Sequence, residues 1–304
     1  MPRFSEEQFA PANGVELCYQ EIGDPEGEPL LLVMGLATQM IAWADAFCEL
    51  LAERGFRVIR FDNRDIGRST RIEGGVPSKL DMFAGRRGSA RYLLSDMAAD
   101  TFGLMDHLGI DSAHLVGASM GGMIVQTAAI EQPGRVRSIT SIMSTTGSRR
   151  VGHPSYRTFG LLLGRPPRER EAAIERVVKT FRTIGSSGYP FEEERIRELA
   201  GRSFDRGHSQ AGIARQLHAI TASGDRTPAL RNLELPALVI HGKSDPLVNP
   251  SGGRATAKAI RGARLKLVDG MGHDLPRALW PDFADEIAAI AARAGEEQQA
   301  PQAA

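Results

Sequence analysis

The apolar residues of the chain fall into two alternating patterns. A continuous apolar run, typical of a strand buried on both faces of a sheet, occupies residues 29–34, and mostly apolar or strand-like runs occupy 56–61, 113–116 and 136–143. Apolar side chains at helical spacing occupy stretches between these runs, at 40–54, at 93–108 and from Met123 onward. Asn13-Gly14, a dipeptide typical of hairpins, predicts two short antiparallel strands near the start of the chain. This alternation predicts a parallel sheet that is covered by helices on both faces.

The alternation stops after residue 143 and resumes at residue 233. The intervening segment contains no buried-strand run and is polar, helical in its spacing and rich in arginine. Beyond it, strand-like runs return at 236–242 and 265–268, each followed by a helical pattern. The last ten residues are rich in Glu, Gln, Ala and Pro, a composition typical of disorder. We therefore expect an α/β core of residues 1–143 and 233–294, an inserted helical cap of residues 144–232, and a disordered tail of residues 295–304.

The charge balance and the two cysteines argue against several classes of protein. The chain has 37 Lys and Arg against 37 Asp and Glu, and this balance gives no support to nucleic-acid binding. No apolar run approaches the roughly 20 residues that span a bilayer, and the first residues lack the pattern of a signal peptide. Cys18 and Cys48 are too few for a disulfide framework. We expect a soluble, cytoplasmic protein whose partner is a small molecule, without a nucleic-acid or membrane partner. Its oligomeric state stays open.

The segment Gly117-Ala118-Ser119-Met120-Gly121 lies where a buried strand passes into a helix. A serine on such a sharp turn projects away from its own backbone, and glycines on either side remove the Cβ atoms that would collide. The serine also stands at a helix N-terminus, where the backbone N–H of Met120 is free to donate to an oxyanion. The pattern predicts Ser119 as a nucleophile. The alternative, an ordinary strand-to-helix turn, arises easily in a chain with 33 glycines.

A serine nucleophile needs a general base, and the base needs an acceptor that fixes its tautomer. His273 lies among glycines in the loop between the last strand and the last helix. Asp245 follows the strand that ends at Gly242, so it is expected at the same edge of the sheet as Ser119. The order Ser119, Asp245, His273 is the one expected after a nucleophile elbow. Taken singly, His273 would pass for a solvated loop residue and Asp245 for a turn former.

Two further residues are assigned to the site from their positions in the chain. The loop after the strand at 29–34 is expected beside the elbow, and the backbone N–H of Leu36 is our candidate for the second oxyanion donor. Trp43 is a possible pocket residue, although a place in the core would account for it equally well. The charged loop at 62–69 is expected to tie loops together near the site rather than to take part in the chemistry.

Five short segments carry a resemblance to a known family. They are Val-Met-Gly at 33–35, Asp-Asn-Arg-Asp-Ile-Gly-Arg-Ser at 62–69, the elbow at 117–121, Ser-Asp-Pro at 244–246 and Gly-Met-Gly-His at 270–273. Together they resemble the α/β-hydrolase superfamily, and within it the aclacinomycin methylesterase-like carboxylesterases. The resemblance covers nearly all of residues 9–294.

The resemblance implies an α/β-hydrolase fold, with an eight-stranded, mostly parallel sheet flanked by helices and an inserted helical cap. It implies no cofactor and no metal. It also implies Ser119, Asp245 and His273 as the catalytic triad, with the backbone N–H groups of Leu36 and Met120 as the oxyanion donors. Leu36 stands where the methylesterase pattern has glycine. Its larger side chain is therefore expected to narrow the acyl pocket.

The predicted function is hydrolysis of carboxylic esters of small to medium apolar substrates through an acyl-enzyme on Ser119. The same triad supports other reactions, and the sequence leaves open carbon–carbon bond hydrolysis, lactone opening and perhydrolysis. Halide or epoxide chemistry through a carboxylate nucleophile is disfavoured, because the elbow position holds serine. A ligand receptor that uses the hydrolase fold is the alternative from a different class of protein.

Overall fold

An eight-stranded sheet forms the centre of the molecule. The computed structural model describes residues 4–299, except 157, 159–166 and 168. The strands are β1 (Gln8–Ala12), β2 (Val15–Ile22), β3 (Glu28–Val33), β4 (Phe56–Phe61), β5 (Ala113–Ala118), β6 (Val136–Ile142), β7 (Ala237–Gly242) and β8 (Arg264–Val268). Their order across the sheet is β1-β2-β4-β3-β5-β6-β7-β8. The β1–β2 and β2–β4 pairs are antiparallel, and the other neighbouring pairs are parallel. The predicted eight-stranded, mostly parallel sheet is confirmed.

Helices cover both faces of this sheet, and further helices lie in the insertion between β6 and β7. They are α1 (Asp45–Ala52), α2 (Lys79–Ala84), α3 (Leu94–His107), α4 (Met120–Glu131), α5 (Arg170–Ile184), α6 (Glu193–Arg206), α7 (Gln210–Ser223), α8 (Thr227–Leu230), α9 (Ser251–Ala259) and α10 (Trp280–Gln299). Helices α1 and α10 share an apolar core with one face of the sheet, whereas α3 and α4 share a second core with the other face. Across the described residues, none of the helices combines the length and the apolar character that a membrane span needs.

The central strands explain the continuous apolar runs in the sequence. In β3, Leu31 and Val33 pack into the core beneath α3 and α4, while Leu30 and Leu32 pack into the core beneath α1 and α10. All four side chains are fully buried. Burying each of them stabilises the fold by about 1.5–3 kcal/mol. A strand covered on both faces has no position that favours a polar residue, so alternation is lost.

The helix predicted at residues 40–54 is divided into two pieces. Met40–Ala42 forms a single 3₁₀ turn, and α1 begins only at Asp45. The carbonyl oxygen of Trp43 accepts a hydrogen bond from Arg60 Nη1 at 2.6 Å. Because this carbonyl is satisfied by an arginine of β4, the backbone does not have to continue as a helix to satisfy it.

One additional helix and two helix ends also differ from the prediction. Helix α2 was not predicted, because six residues are too few to show helical periodicity. Helix α4 begins at Met120 and not at Met123, because the glycines in its first turn extend no apolar pattern. Helix α10 continues to Gln299, beyond residue 294, after which the tail was predicted to begin. Residues 300–304 lie outside the described part of the chain.

The helices between β6 and β7 contact the core through buried ion pairs. Arg206 of α6 donates to Asp62 at 2.9 Å, and Arg215 of α7 donates to both carboxylate oxygens of Asp65 at 2.8 and 2.7 Å. Both aspartates are fully buried. A buried carboxylate is stable only when it is paired and hydrogen-bonded. The charged loop at 62–69 thus joins the core to the inserted helices, whereas the sequence predicted only that it ties loops together near the site.

We expect Arg215→Met to lower the free energy of unfolding by about 3 kcal/mol, near the lower end for breaking a buried ion pair. The Asp65 carboxylate would lose its charged partner, while the hydroxyl of Tyr92 would still donate to it. Chemical denaturation measures the change. Arg261→Met is the matched control, because Arg261 pairs with Glu234 on the surface and such pairs contribute at most about 1 kcal/mol. Equal losses in the two variants would contradict the expected difference.

Candidate active site

Three of the predicted site residues lie at the edge where the parallel strands end. Ser119 directly follows β5, Asp245 follows β7 and His273 follows β8. His273 Nδ1 is 2.8 Å from Asp245 Oδ2, and His273 Nε2 is 3.0 Å from Ser119 Oγ. Both distances are those of hydrogen bonds. The side chains therefore form a hydrogen-bonded chain from a carboxylate through an imidazole to a hydroxyl.

The backbone of Ser119 has the strained geometry of a sharp turn. Its φ of 55° and ψ of −116° lie in a region that residues other than glycine rarely adopt, at a cost of order 1–3 kcal/mol. Its N–H donates to the carbonyl of Ile142 at 2.9 Å, and its own carbonyl accepts from Ser144 Oγ at 2.7 Å. A Cβ atom at Gly117 or Gly121 would lie 2.2 or 2.0 Å from a backbone carbonyl oxygen. Both positions accordingly require glycine.

Asp245 is held as an anion behind His273. Its Oδ1 accepts hydrogen bonds from the N–H groups of Leu247 and Val248 at 2.8 and 2.9 Å. Burial raises the pKa of the Asp245 carboxyl, but the charge of His273 and the hydrogen bonds to the carboxylate outweigh burial and lower the pKa to about 2. The carboxylate accepts the Nδ1 proton of His273, so the lone pair on Nε2 faces the hydroxyl of Ser119. In this tautomer the imidazole can take a proton from the serine.

Residues 28–276, which include all three of these side chains, match the family described as alpha/beta hydrolase fold. The protein belongs to this family. The fold class and the superfamily resemblance predicted from the sequence are both confirmed.

This α/β-hydrolase is similar to methylesterases of Streptomyces. It is 30% identical to rhodomycin D methylesterase DauP of Streptomyces sp. (strain C5) over 298 residues, covering 90% of this chain and 94% of that protein. It is 29% identical to rhodomycin D methylesterase DnrP of Streptomyces peucetius, again covering 90% of this chain and 94% of that protein. The predicted resemblance to methylesterase-like carboxylesterases is thus confirmed.

Solved structures resemble the fold over almost the whole chain. The 2-hydroxy-6-oxo-6-phenylhexa-2,4-dienoate hydrolase from Rhodococcus sp. strain RHA1 superimposes with a TM-score of 0.74 at 19% identity, covering 97% of this chain and 100% of that one. Since the identity is low, this likeness shows the fold alone.

His241, near the end of β7, supports the Asp245 carboxylate of this α/β-hydrolase and was not singled out from the sequence. It is fully buried, and its Nε2 is 2.8 Å from the carbonyl oxygen of Val248 and 3.5 Å from Asp245 Oδ2. Because a carbonyl oxygen only accepts, Nε2 carries the proton. The hydrogen bond closes the loop that carries Asp245. In the sequence, the only indication of this contact is the four-residue spacing between His241 and Asp245. That spacing does not predict a contact without the structure, which shows that the loop after β7 folds back towards His241.

The loop that contains Leu36 lies beside Ser119. Gly35 packs so closely on Ser119 that a Cβ atom at residue 35 would be 3.0 Å from the Cβ atom of the serine. The N–H of Ala37 donates to Gln216 Oε1 of α7 at 3.1 Å. The loop is therefore fixed between the elbow and an inserted helix. Its place is compatible with an oxyanion donor at Leu36, and that role stays a prediction.

Met120, the other predicted oxyanion donor, is the first residue of α4. Its N–H therefore has no acceptor within the helix. The N-terminus of a helix carries partial positive charge, which favours an anion there. Ser119 is the N-cap of the same helix, so the amide of Met120 directly follows Ser119. Its role in the chemistry also stays a prediction.

Trp43 belongs to the core and does not line a pocket. Its side chain has no exposed surface. Its ring stacks on that of Phe47 in α1 with the centroids 5.9 Å apart, and Phe47 contacts Trp280 of α10 in turn. A side chain without exposed surface contributes no wall to an open pocket. The possible pocket role predicted for Trp43 is therefore wrong, and its place in the core between α1 and α10 accounts for it.

Proposed function

We propose that the protein is a serine hydrolase that cleaves carboxylic esters through an acyl-enzyme on Ser119. The observation that carries this proposal is the hydrogen-bonded chain from Asp245 through His273 to Ser119, which stands on a strained elbow. Similarity to proteins named methylesterases over 90% of the chain supports it. A hydroxyl, a base within hydrogen-bond reach and a carboxylate that orients the base are the groups that acyl transfer requires.

The geometry supports a two-step reaction. His273 Nε2 accepts the proton of Ser119 Oγ while that oxygen attacks the ester carbonyl carbon. The N–H groups of Leu36 and Met120 donate to the oxyanion of the tetrahedral intermediate. His273 then protonates the leaving alcohol as its C–O bond breaks, and an acyl ester remains on Ser119. Water gives a proton to His273 and attacks the carbonyl carbon of this ester. The bond between that carbon and Ser119 Oγ then breaks, His273 returns the proton to Ser119 Oγ and the acid is released, while Asp245 stabilises the imidazolium in both steps.

We assign residues 1–143 and 233–294 to the hydrolase core and residues 144–232 to a cap over the site. The hydrogen bond from the loop beside the nucleophile to Gln216 supports this assignment, because Gln216 belongs to an inserted helix. A cap limits the access of bulk water to the site and shapes the substrate pocket. The cytoplasmic location and the absence of nucleic-acid and membrane partners stay predictions.

The proposed substrates are small to medium apolar esters with a small alcohol. Leu36 stands where the methylesterase pattern has glycine and directly follows Gly35, which packs on Ser119; we infer from this position that its larger side chain narrows the acyl pocket. Release of methanol is the reaction suggested by the Streptomyces relatives, which are named methylesterases. The proposed substrate class therefore combines a methyl or similarly small alcohol with a small to medium apolar acyl group.

Turnover of p-nitrophenyl esters from acetate to decanoate, together with methyl benzoate, tests the proposed function. A serine-reactive fluorophosphonate, followed by mass spectrometry, identifies the nucleophile. We expect hydrolysis that falls as the acyl chain lengthens, with the label on Ser119. A label on another residue would contradict the assignment of the nucleophile. A label on Ser119 without ester turnover would contradict ester hydrolysis and favour carbon–carbon bond hydrolysis, lactone opening, perhydrolysis or a receptor role.

A further inference from the structure

The loop that carries His273 is held by the insertion as well as by the core. The two pieces in contact are the 184–188 segment, which begins at the last residue of α5, and the 270–274 loop, which follows β8. The N–H of His273 donates to the carbonyl of Ile184 at 2.7 Å, and the N–H of Gly188 donates to the carbonyl of Gly270 at 2.9 Å. Backbone hydrogen bonds therefore run in both directions between the segment and the loop.

Ser186 contacts both neighbours of His273. Its Oγ accepts a hydrogen bond from the N–H of Gly272 at 2.9 Å and donates one to the carboxylate of Asp274 at 2.5 Å. A hydroxyl can donate and accept at the same time, so one side chain satisfies both groups. The residue before the imidazole and the residue after it are thus fixed by a single serine of the insertion.

Glycines allow the two backbones to touch. A Cβ atom at Gly272 would lie 2.3 Å from the carbonyl oxygen of Gly185, and one at Gly188 would lie 2.7 Å from the Cα atom of Gly270. No side chain can be accommodated at such distances unless the backbones move apart. The contact is therefore specific to this arrangement of the segment and the loop.

The core fixes a different part of the same loop. The carbonyl of Met271 accepts a hydrogen bond from the N–H of Ser244 at 3.0 Å, and the Met271 side chain is fully buried in the core beneath α1 and α10. Residue 271 is thus held by the core, whereas the backbone N–H groups of residues 272 and 273 are held by the 184–188 segment. The backbone of His273 is therefore positioned by a hydrogen bond to the insertion, while its imidazole ring is hydrogen-bonded to Asp245.

We propose that Ser186 is a positioning residue for His273, and that the 184–188 segment couples the placement of the inserted helices to the assembly of the triad. This inference rests on the proposed function of the triad. Undocking of the segment removes the acceptors of two backbone N–H groups in the 270–274 loop. The loop then samples positions in which the imidazole no longer reaches the serine, and a displacement of about 1 Å at a reacting group costs about a hundredfold in rate. The base is therefore in place only while the inserted helices are docked.

Ser186→Ala is expected to lower kcat about tenfold, because it removes both hydrogen bonds of the Ser186 hydroxyl and leaves the N–H of Gly272 without its acceptor. KM is expected to change less than about twofold, because the acyl and alcohol pockets are untouched. Ser187→Ala is the matched control, since Ser187 is the next residue and its side chain is exposed. Ser186→Thr keeps the hydroxyl and is expected to restore most of kcat.

Two readouts do not depend on an ester substrate. The rate at which a fluorophosphonate labels Ser119 is expected to fall by the same factor as kcat in Ser186→Ala. Hydrogen exchange followed by mass spectrometry is expected to show faster exchange in peptides that contain residues 270–274. A purely structural role would lower the melting temperature while leaving the labelling rate of the folded protein unchanged.

Wild-type labelling and exchange rates in a folded Ser186→Ala variant would overturn the inference. Should that variant fail to fold, Gly188→Ala decides the question, because its Cβ atom would push the segment away from Gly270. The expected result for that variant is again slower labelling of Ser119, and wild-type labelling would overturn the inference. If the wild type is labelled but hydrolyses no ester, the proposed function fails, and the ratio of labelling rates still decides the role of Ser186.

Discussion

Ser119→Ala is expected to lower kcat for the best ester about a million-fold, while KM changes only a few-fold. The substitution removes the oxygen that attacks the carbonyl carbon but leaves His273, Asp245 and the pocket in place. The remaining groups can still stabilise the transition state of attack by water, so a small residual rate is expected above the rate in solution. Steady-state kinetics at high enzyme concentration measure this rate, and fluorophosphonate labelling is expected to be lost.

The control for this variant is Ser187→Ala, which removes an exposed hydroxyl. Alanine at residue 119 keeps the strained φ of 55°, so thermal unfolding is expected to occur close to the wild-type temperature. A folded Ser119→Ala protein that retains more than about 1% of wild-type kcat would contradict a nucleophilic role for Ser119.

Asp245→Asn is expected to lower kcat about ten-thousand-fold, the effect of the same change on the triad of a serine protease. The asparagine amide would donate to His273 Nδ1, which would then have to accept. The imidazole proton would move to Nε2, the atom 3.0 Å from Ser119 Oγ. A protonated Nε2 cannot accept the proton of the serine. Kinetics over a range of pH would show the loss at every pH where the wild type is active.

The matched control is Asp269→Asn, because Asp269 lies on the surface and pairs with Lys243. We expect it to retain wild-type kcat, and comparable losses in both variants would contradict the assignment of Asp245.

The effect of Asp245→Asn on the stability of the fold is also expected to depend on pH. The pKa of Asp245 is lowered to about 2 in the folded protein, so its charge stabilises the fold above the unfolded-state pKa of about 3.9. That stabilisation is lost as the pH falls towards 2, and the difference in stability between wild type and Asp245→Asn is expected to shrink over the same interval.

The strands and three of the site residues could be predicted from the sequence for a physical reason. A strand such as β3, buried on both faces of the sheet, leaves a run of apolar residues with sharp ends, and its predicted bounds of 29–34 differ from the observed ones by one residue at each end. Ser119, Asp245 and His273 each directly follow or lie a few residues beyond such a strand. Parallel strands end at one edge, so the chain order alone places these side chains near one another.

The contacts that support the site could not be predicted from the sequence in this way. Ser186 and Gly272 are 86 residues apart in the chain and meet only because the insertion folds back over the sheet. His241 contacts the loop that carries Asp245 only because that loop folds back towards β7. The pocket role predicted for Trp43 fails because α1 and α10 enclose its side chain. These outcomes depend on distances between elements, and hydrophobic periodicity carries no information about such distances.

The separation of the triad along the chain has a consequence for the protein during its synthesis. Ser119 and His273 are 154 residues apart. At about 5–20 residues per second, a ribosome takes about 8–30 seconds to make the intervening chain. Throughout that interval the nascent protein carries Ser119 without His273, the base proposed for it. Under the proposed function, the hydroxyl is therefore activated only after the last strands have been made and the sheet is complete.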